Sequence, residues 1–149
     1  MKQATPDSAI TWLLGIRDGS IAKPPIYERL GIDVVDAQVG SVELAQTLEP
    51  FLQNPHGQIA GGALATLLDT TLAWACDTCC AAGHRCTTLE IKANFLRPLT
   101  SSDRRVVARG RSVFTGSRIL VAQGEIIGSD GRVHALGTTT CLVVTKHPS

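Results

Sequence analysis

The sequence predicts an α+β domain in which an antiparallel sheet wraps around one long central helix, with an extra helix at the N-terminus. Three observations predict it. From Gly61 onward, Ala63, Leu64, Leu67, Leu68, Leu72, Ala75 and Cys76 form an apolar helical surface wide enough to demand burial on most sides. Four strand-like runs then follow, separated by the turn signals Thr115-Gly116-Ser117 and Ser129-Asp130-Gly131, and tight turns join antiparallel neighbours. Finally, 149 residues at 44% hydrophobic content make one ordinary domain with a real core, here taken as residues 1–149. A helix packed on one sheet is a standard layer solution.

The N-terminal helix occupies residues 1–20: Thr5-Pro6-Asp7 is its start signal, Ile10, Leu13, Leu14 and Arg17 keep helical spacing, and Asp18-Gly19 ends it. Lys23-Pro24-Pro25 reads as a connector. The core runs over residues 31–145. It opens with two short strands between Gly31 and Leu48, turning at Gly40-Ser41 and closed by Glu49-Pro50. A turn-rich loop, Gln53 to Gln58, leads to the long helix, which Ala81-Ala82-Gly83 ends. The later strands are Thr87 to Arg97, Arg104 to Phe114, Arg118 to Ile127 and Arg132 to Thr145. In the first of them Leu89, Ile91, Ala93 and Phe95 share one face, and Thr88, Glu90, Lys92 and Asn94 the other.

Composition excludes several classes. A formal net charge of +1 leaves no electrostatic footprint for nucleic acid or an anionic membrane. The aromatics are too few for base stacking. The most apolar stretch, Ala63 to Cys76, is too short to span a bilayer and carries Asp69. The first residues turn polar where an export signal would become apolar, so a cytoplasmic protein with reduced thiols is expected. Cys76, Cys79, Cys80, His84 and Cys86 superficially resemble zinc spacing, but three of these thiols fall on an apolar helix face, where Cys packs as a small hydrophobe. No metal and no cofactor are expected.

Asp69 carries the most information about chemistry, because an ionised carboxylate inside an apolar helix is expensive unless partnered. It is either a structural acid bonded to neighbouring threonines or a general base or nucleophile. Gly61-Gly62 opens the same helix; its N–H groups lack internal acceptors and suit an anion or a developing oxyanion, although small residues also simply allow close packing. Gly62 and Asp69 are 7 residues apart, on one side of the helix. That spacing covers about 10 Å of axis, too far for one carbonyl to meet both. If both act on one substrate, they come from different chains. A helix with a second uncovered apolar face points the same way, to a two-fold homodimer.

The run Asn54-Pro55-His56-Gly57-Gln58-Ile59-Ala60-Gly61-Gly62 through Asp69, followed by Thr87 to Pro98, resembles the hotdog-fold acyl-CoA thioesterases, with the phenylacetate-degradation (PaaI-like) branch most similar. The resemblance covers about residues 31–144. It implies a hotdog fold and hydrolysis of a small or medium acyl-CoA, aromatic acyl groups included, with coenzyme A as part of the substrate. It also implies a homodimer as the minimal active unit, assembled into a homotetramer. By position, the family's catalytic acid falls on Asp69, its carbonyl-polarising N–H on Gly61, its loop asparagine on Asn54 and its supporting strand hydroxyl on Thr88. His56 and Gly62 fall among the substrate-binding positions, and Arg111, Ser117 and Arg118 are candidates for coenzyme A. The family's usual His before the glycine pair is Ala60 here. Two alternatives stand beside this reading: an acyl-CoA hydratase or dehydratase on the same fold, and a non-catalytic acyl-CoA-binding module.

Overall fold

The computed structural model describes residues 8–145. Helix α1 spans Ala9–Asp18: the Ser8 hydroxyl caps it by accepting the Thr11 N–H at 3.1 Å, and Gly19, at φ 84°, ends it. Thr5-Pro6-Asp7, the start signal in the sequence, lies outside the described residues. Helix α2, Pro25–Leu30, begins at the last residue of the connector and covers residues to which the sequence reading assigned no element. Pro25 opens its first turn and Gly31, at φ 66°, closes it, so six residues fold without a length that periodicity could reveal.

Strands β1 (Ile32–Gln38) and β2 (Ser41–Thr47) form the expected hairpin. A 3-10 turn at Pro50–Leu52 leads into helix α3, Gly61–Asp77. Then come β3 (His84–Phe95), β4 (Arg105–Thr115), β5 (Ile119–Gly128) and β6 (Val133–Thr145). All pairings are antiparallel and the order is β1-β2-β4-β5-β6-β3, which leaves β1 and β3 as the edges. Among the described residues no helix is long and apolar enough to cross a membrane.

Helix α3 lies against the sheet through Leu64, Leu67, Leu68, Thr71, Leu72, Ala75 and Cys76, all buried. A row of small residues admits it. Gly110, Gly124 and Gly137 stand side by side on β4, β5 and β6. A Cβ on Gly124 would lie 2.1 Å from the Arg109 carbonyl oxygen and 2.8 Å from Leu72 Cδ2. Strand alternation alone does not announce this row, because a missing side chain leaves no hydrophobic signal.

Three boundaries differ from the sequence expectation for identifiable reasons. The helix stops at Asp77 rather than near Ala81: Thr78 Oγ1 bonds back to the Ala75 carbonyl and accepts the Gly40 N–H, both at 2.8 Å, while Asp77 Oδ1 takes the Cys86 N–H at 2.6 Å. Gly83, at φ 77°, then reverses the chain and β3 begins at His84 instead of Thr87. It ends at Phe95 instead of Arg97 because the Leu96 and Arg97 N–H groups both turn to the His134 carbonyl. The other three expected strands match β4, β5 and β6 to within one residue at each end.

The facing of β3 is the larger correction. Thr88 pairs with Cys141 and Glu90 with Thr140, so Leu89 is an extra residue in a β-bulge. The bulge inverts the alternation. Cys86 and Thr88 before it, and Ile91 and Ala93 after it, all turn inward, while Leu89 is exposed. Thr88 therefore does not share a face with Glu90 and Lys92.

The N-terminal helices are tied to this core. Trp12 of α1 stacks on Trp74 of α3 with ring centroids 5.0 Å apart. Trp74 Nε1 donates to the Tyr27 hydroxyl of α2 at 2.5 Å, and burial pushes the Tyr27 phenol up to about 12. Asp33 on β1 receives Lys23 and, at 3.0 Å, Arg105. Burial pushes the Asp33 carboxyl up, but hydrogen bonds from Lys23 and Arg105 outweigh it and hold the group below the usual carboxylate range. A lowered native pKa contributes stability above the unfolded value and loses it as pH falls through the native one. The melting temperature of wild type should exceed that of Asp33→Asn near neutrality, and the gap should close as pH falls below about 4. A gap that does not change with pH would remove the ion pairs from the account.

Candidate active site

Helix α3 turns its buried face to the sheet and leaves Gly62, Ala65, Asp69 and Ala73, spaced three or four residues apart, on its less covered side. Asp69 is half-buried there. The Thr88 hydroxyl, aimed inward by the bulge, donates to Asp69 Oδ1 at 2.9 Å. One carboxylate oxygen is thus held by a strand and the second has no partner among the described residues. A carboxylate oriented this way can accept a proton from a water or attack an electrophile itself.

The other half of the expected site lies at the start of the same helix. Ala60 occupies the N-cap without a side-chain hydrogen bond, and the Gly61 and Gly62 N–H groups have no acceptor among the described residues. The Phe95 ring covers Gly61: a Cβ there would lie 3.0 Å from Phe95 Cε2, whereas a Cβ on Gly62 would meet open space. Sequence reasoning placed Phe95 on one face of its strand with Leu89, Ile91 and Ala93, without connecting it to the helix start.

The preceding loop is built around Asn54. Its Oδ1 accepts the His56 N–H at 2.9 Å and the Gln58 N–H at 3.2 Å, and its own N–H reaches the Gln58 carbonyl. The loop is clamped to the core by the Ile59 N–H on the Leu99 carbonyl and the Ala60 N–H on the Leu52 carbonyl. The Asn54 oxygen is spent on the turn, so its amide NH₂ is the group left to meet a ligand. His56 is exposed at the tip.

The structure brings Asp69 and Thr88 together, places Asn54 and His56 in the loop that leads into Gly61 and Gly62, and separates the two sets along α3. Gly61 and Asp69 are about 12 Å apart along the axis. Ser117 and Arg118 lie in the β4–β5 turn, exposed. That turn stands toward the far end of α3, where Ser112 bonds the Gly40 turn and Gly40 bonds Thr78. Arg111 lies on the outer face of the sheet, since Gly110 beside it faces α3. It lines a hollow of about 650 Å³ with Lys92, Asn94, Arg109 and Gln123 that contains neither Asp69 nor Gly61.

The cysteines are free thiols. Cys76 is buried in the core, and Cys79 and Cys80 just past the helix end point their S–H groups at the Ala75 and Cys76 carbonyls. Among the described residues no group of three His, Cys, Asp or Glu side chains is placed to hold a metal ion.

A model of the thioesterase superfamily matches residues 56–135. Among solved structures, a conserved protein from Pseudomonas aeruginosa is 30% identical with a TM-score of 0.75, over 82% of this chain and 95% of that one. A phenylacetic acid degradation-related protein from Ralstonia eutropha is 27% identical with a TM-score of 0.78, over 88% and 98%. A thioesterase from Haemophilus influenzae is 24% identical with a TM-score of 0.78, over 92% and 94%. A search of curated protein sequences finds no match.

Proposed function

Because the chain belongs to the thioesterase superfamily and has its hotdog fold, we propose that it hydrolyses a small or medium acyl-CoA thioester in the cytoplasm, at a site shared by two chains of a homodimer. The observation that carries this reading is the Asp69 carboxylate, held by Thr88 on a helix face that the sheet leaves uncovered. Asp69 of one chain takes a proton from a water, whose oxygen attacks the thioester carbon. The Gly61 N–H at the start of the partner's α3 faces the carbonyl oxygen as its negative charge develops, aided by the positive end of the helix dipole. The Asn54 amide of that same loop supports the carbonyl or the water. The tetrahedral adduct then collapses: the C–S bond breaks, the proton on Asp69 passes to the departing sulfur, and the free acid and coenzyme A leave.

The roughly 12 Å between Gly61 and Asp69 within one helix is what requires two chains. Subunit mixing tests this directly. Asp69→Asn and Asn54→Ala homodimers should each be nearly inactive in a free-thiol assay. Their hybrid regains one intact site, pairing the native Asp69 of one chain with the native Asn54 of the other. A site contained in a single chain predicts no rescue. Formation of an enoyl product without thiol release would favour a hydratase, and acyl-CoA binding without turnover a binding module.

A further inference from the structure

One turn beyond Asp69 on α3 and two residues before Thr88 on β3, a cavity of about 190 Å³ opens between the helix and the edge strand. Its walls are Ala73, Trp74 and Cys86, with Asp77 and Arg85 at the far side. Cys86 and Thr88 both turn inward ahead of the bulge, and Ala73 shares a helix face with Asp69, so the cavity lies beside the Asp69–Thr88 pair. Its position suits the part of a thioester that lies beyond the reacting carbonyl. The cavity is open on one side, and its volume compares with the about 150 Å³ of a cavity that takes up one benzene.

Trp74 is an unusually constrained wall. It stacks on Trp12 of α1 and donates to the Tyr27 hydroxyl of α2, and Tyr27 is itself buried. Both braces come from helices outside the residues 56–135 that the superfamily model matches. An indole held by a ring face and a hydrogen bond cannot swing aside to admit a longer chain without breaking both contacts.

Resting on the thioesterase reading above, we propose that Trp74, fixed by Trp12 and Tyr27, sets the upper size of the acyl group, so that the N-terminal helices act as a specificity brace and restrict the enzyme to compact acyl thioesters. Trp74 is the wall; Trp12 and Tyr27 are positioning residues that work through it.

The test is a profile of kcat/KM over straight-chain acyl-CoA thioesters from acetyl to dodecanoyl, with benzoyl-CoA alongside, for wild type, Trp74→Leu, Trp12→Leu and Tyr27→Phe. Wild type should favour the compact members. Trp74→Leu should raise the ratio of octanoyl to the best compact substrate by about tenfold or more, the scale on which hydrophobic pockets discriminate chain length. Tyr27→Phe keeps the ring and loses one hydrogen bond, so it should shift the ratio the same way by about fivefold. Trp12→Leu should fall between them. A variant that is merely destabilised loses activity on all substrates in proportion and leaves the ratio unchanged. Unchanged ratios in all three variants, or a wild type that already prefers long chains, overturn the proposal while the thioesterase reading stands. If wild type releases thiol from no member of the series, the thioesterase reading fails and this inference with it.

Discussion

Asp69→Asn is expected to lower kcat by about 100- to 10,000-fold, the range for loss of a general base, with little change in KM or melting temperature. The substitution is nearly isosteric. The Asn carbonyl oxygen can still accept the Thr88 hydroxyl that now reaches Asp69 Oδ1 at 2.9 Å, so the strand–helix contact survives. What disappears is the negative charge that accepts a proton or attacks carbon. The measurement is steady-state thiol release, with thermal unfolding as the control for folding. Single turnover in isotopically labelled water tests for the covalent role: label entering the Asp69 side chain marks a nucleophile. Activity within about tenfold of wild type would mean that Asp69 is a structural acid, since loss of a transition-state interaction has to appear in kcat/KM.

The second large effect concerns stability. Gly124→Ala should destabilise the fold by about 3 kcal/mol or more, at or above the usual range for overpacked cores. The new methyl would sit 2.1 Å from the Arg109 carbonyl oxygen, a backbone atom that cannot rotate away, and 2.8 Å from Leu72 Cδ2. Gly62→Ala is the matched control, because a methyl at that site meets nothing within 4 Å in the single chain. Urea denaturation of both variants measures the difference. Equal stability of the two would show that the sheet can retreat from α3 and that the glycine row does not set their separation.

The central helix, the β1–β2 hairpin and the run of antiparallel strands were legible because each rests on a long periodic signal. Leu64, Leu67, Leu68, Leu72 and Cys76 repeat at helical spacing as a buried face, and Gly40-Ser41 reads as a turn between two short strands. What escaped lies where a single residue decides. Pro25 and Gly31 bracket a helix too short to show a period. Leu89 adds one residue to β3, and every position before it changes face. The site was legible in its members rather than in its assembly. Asp69 stood out as a charge in an apolar helix and Gly61-Gly62 as a helix start, while the Asp69–Thr88 bond depends on a bulge that alternation counts against. The cavity beside Trp74 depends on aromatic contacts between residues 47 or more apart in sequence, which no local pattern encodes.

The Gly110–Gly124–Gly137 row has a wider reach than packing. It governs how deeply the helix sinks into its cradle, and the carboxylate rides on that helix while its hydroxyl partner is anchored to the sheet. Depth of docking and length of the acid's hydrogen bond are therefore one mechanical variable. A swelling of a few tenths of an ångström between the two layers would lengthen the Asp69–Thr88 bond before it unfolded anything.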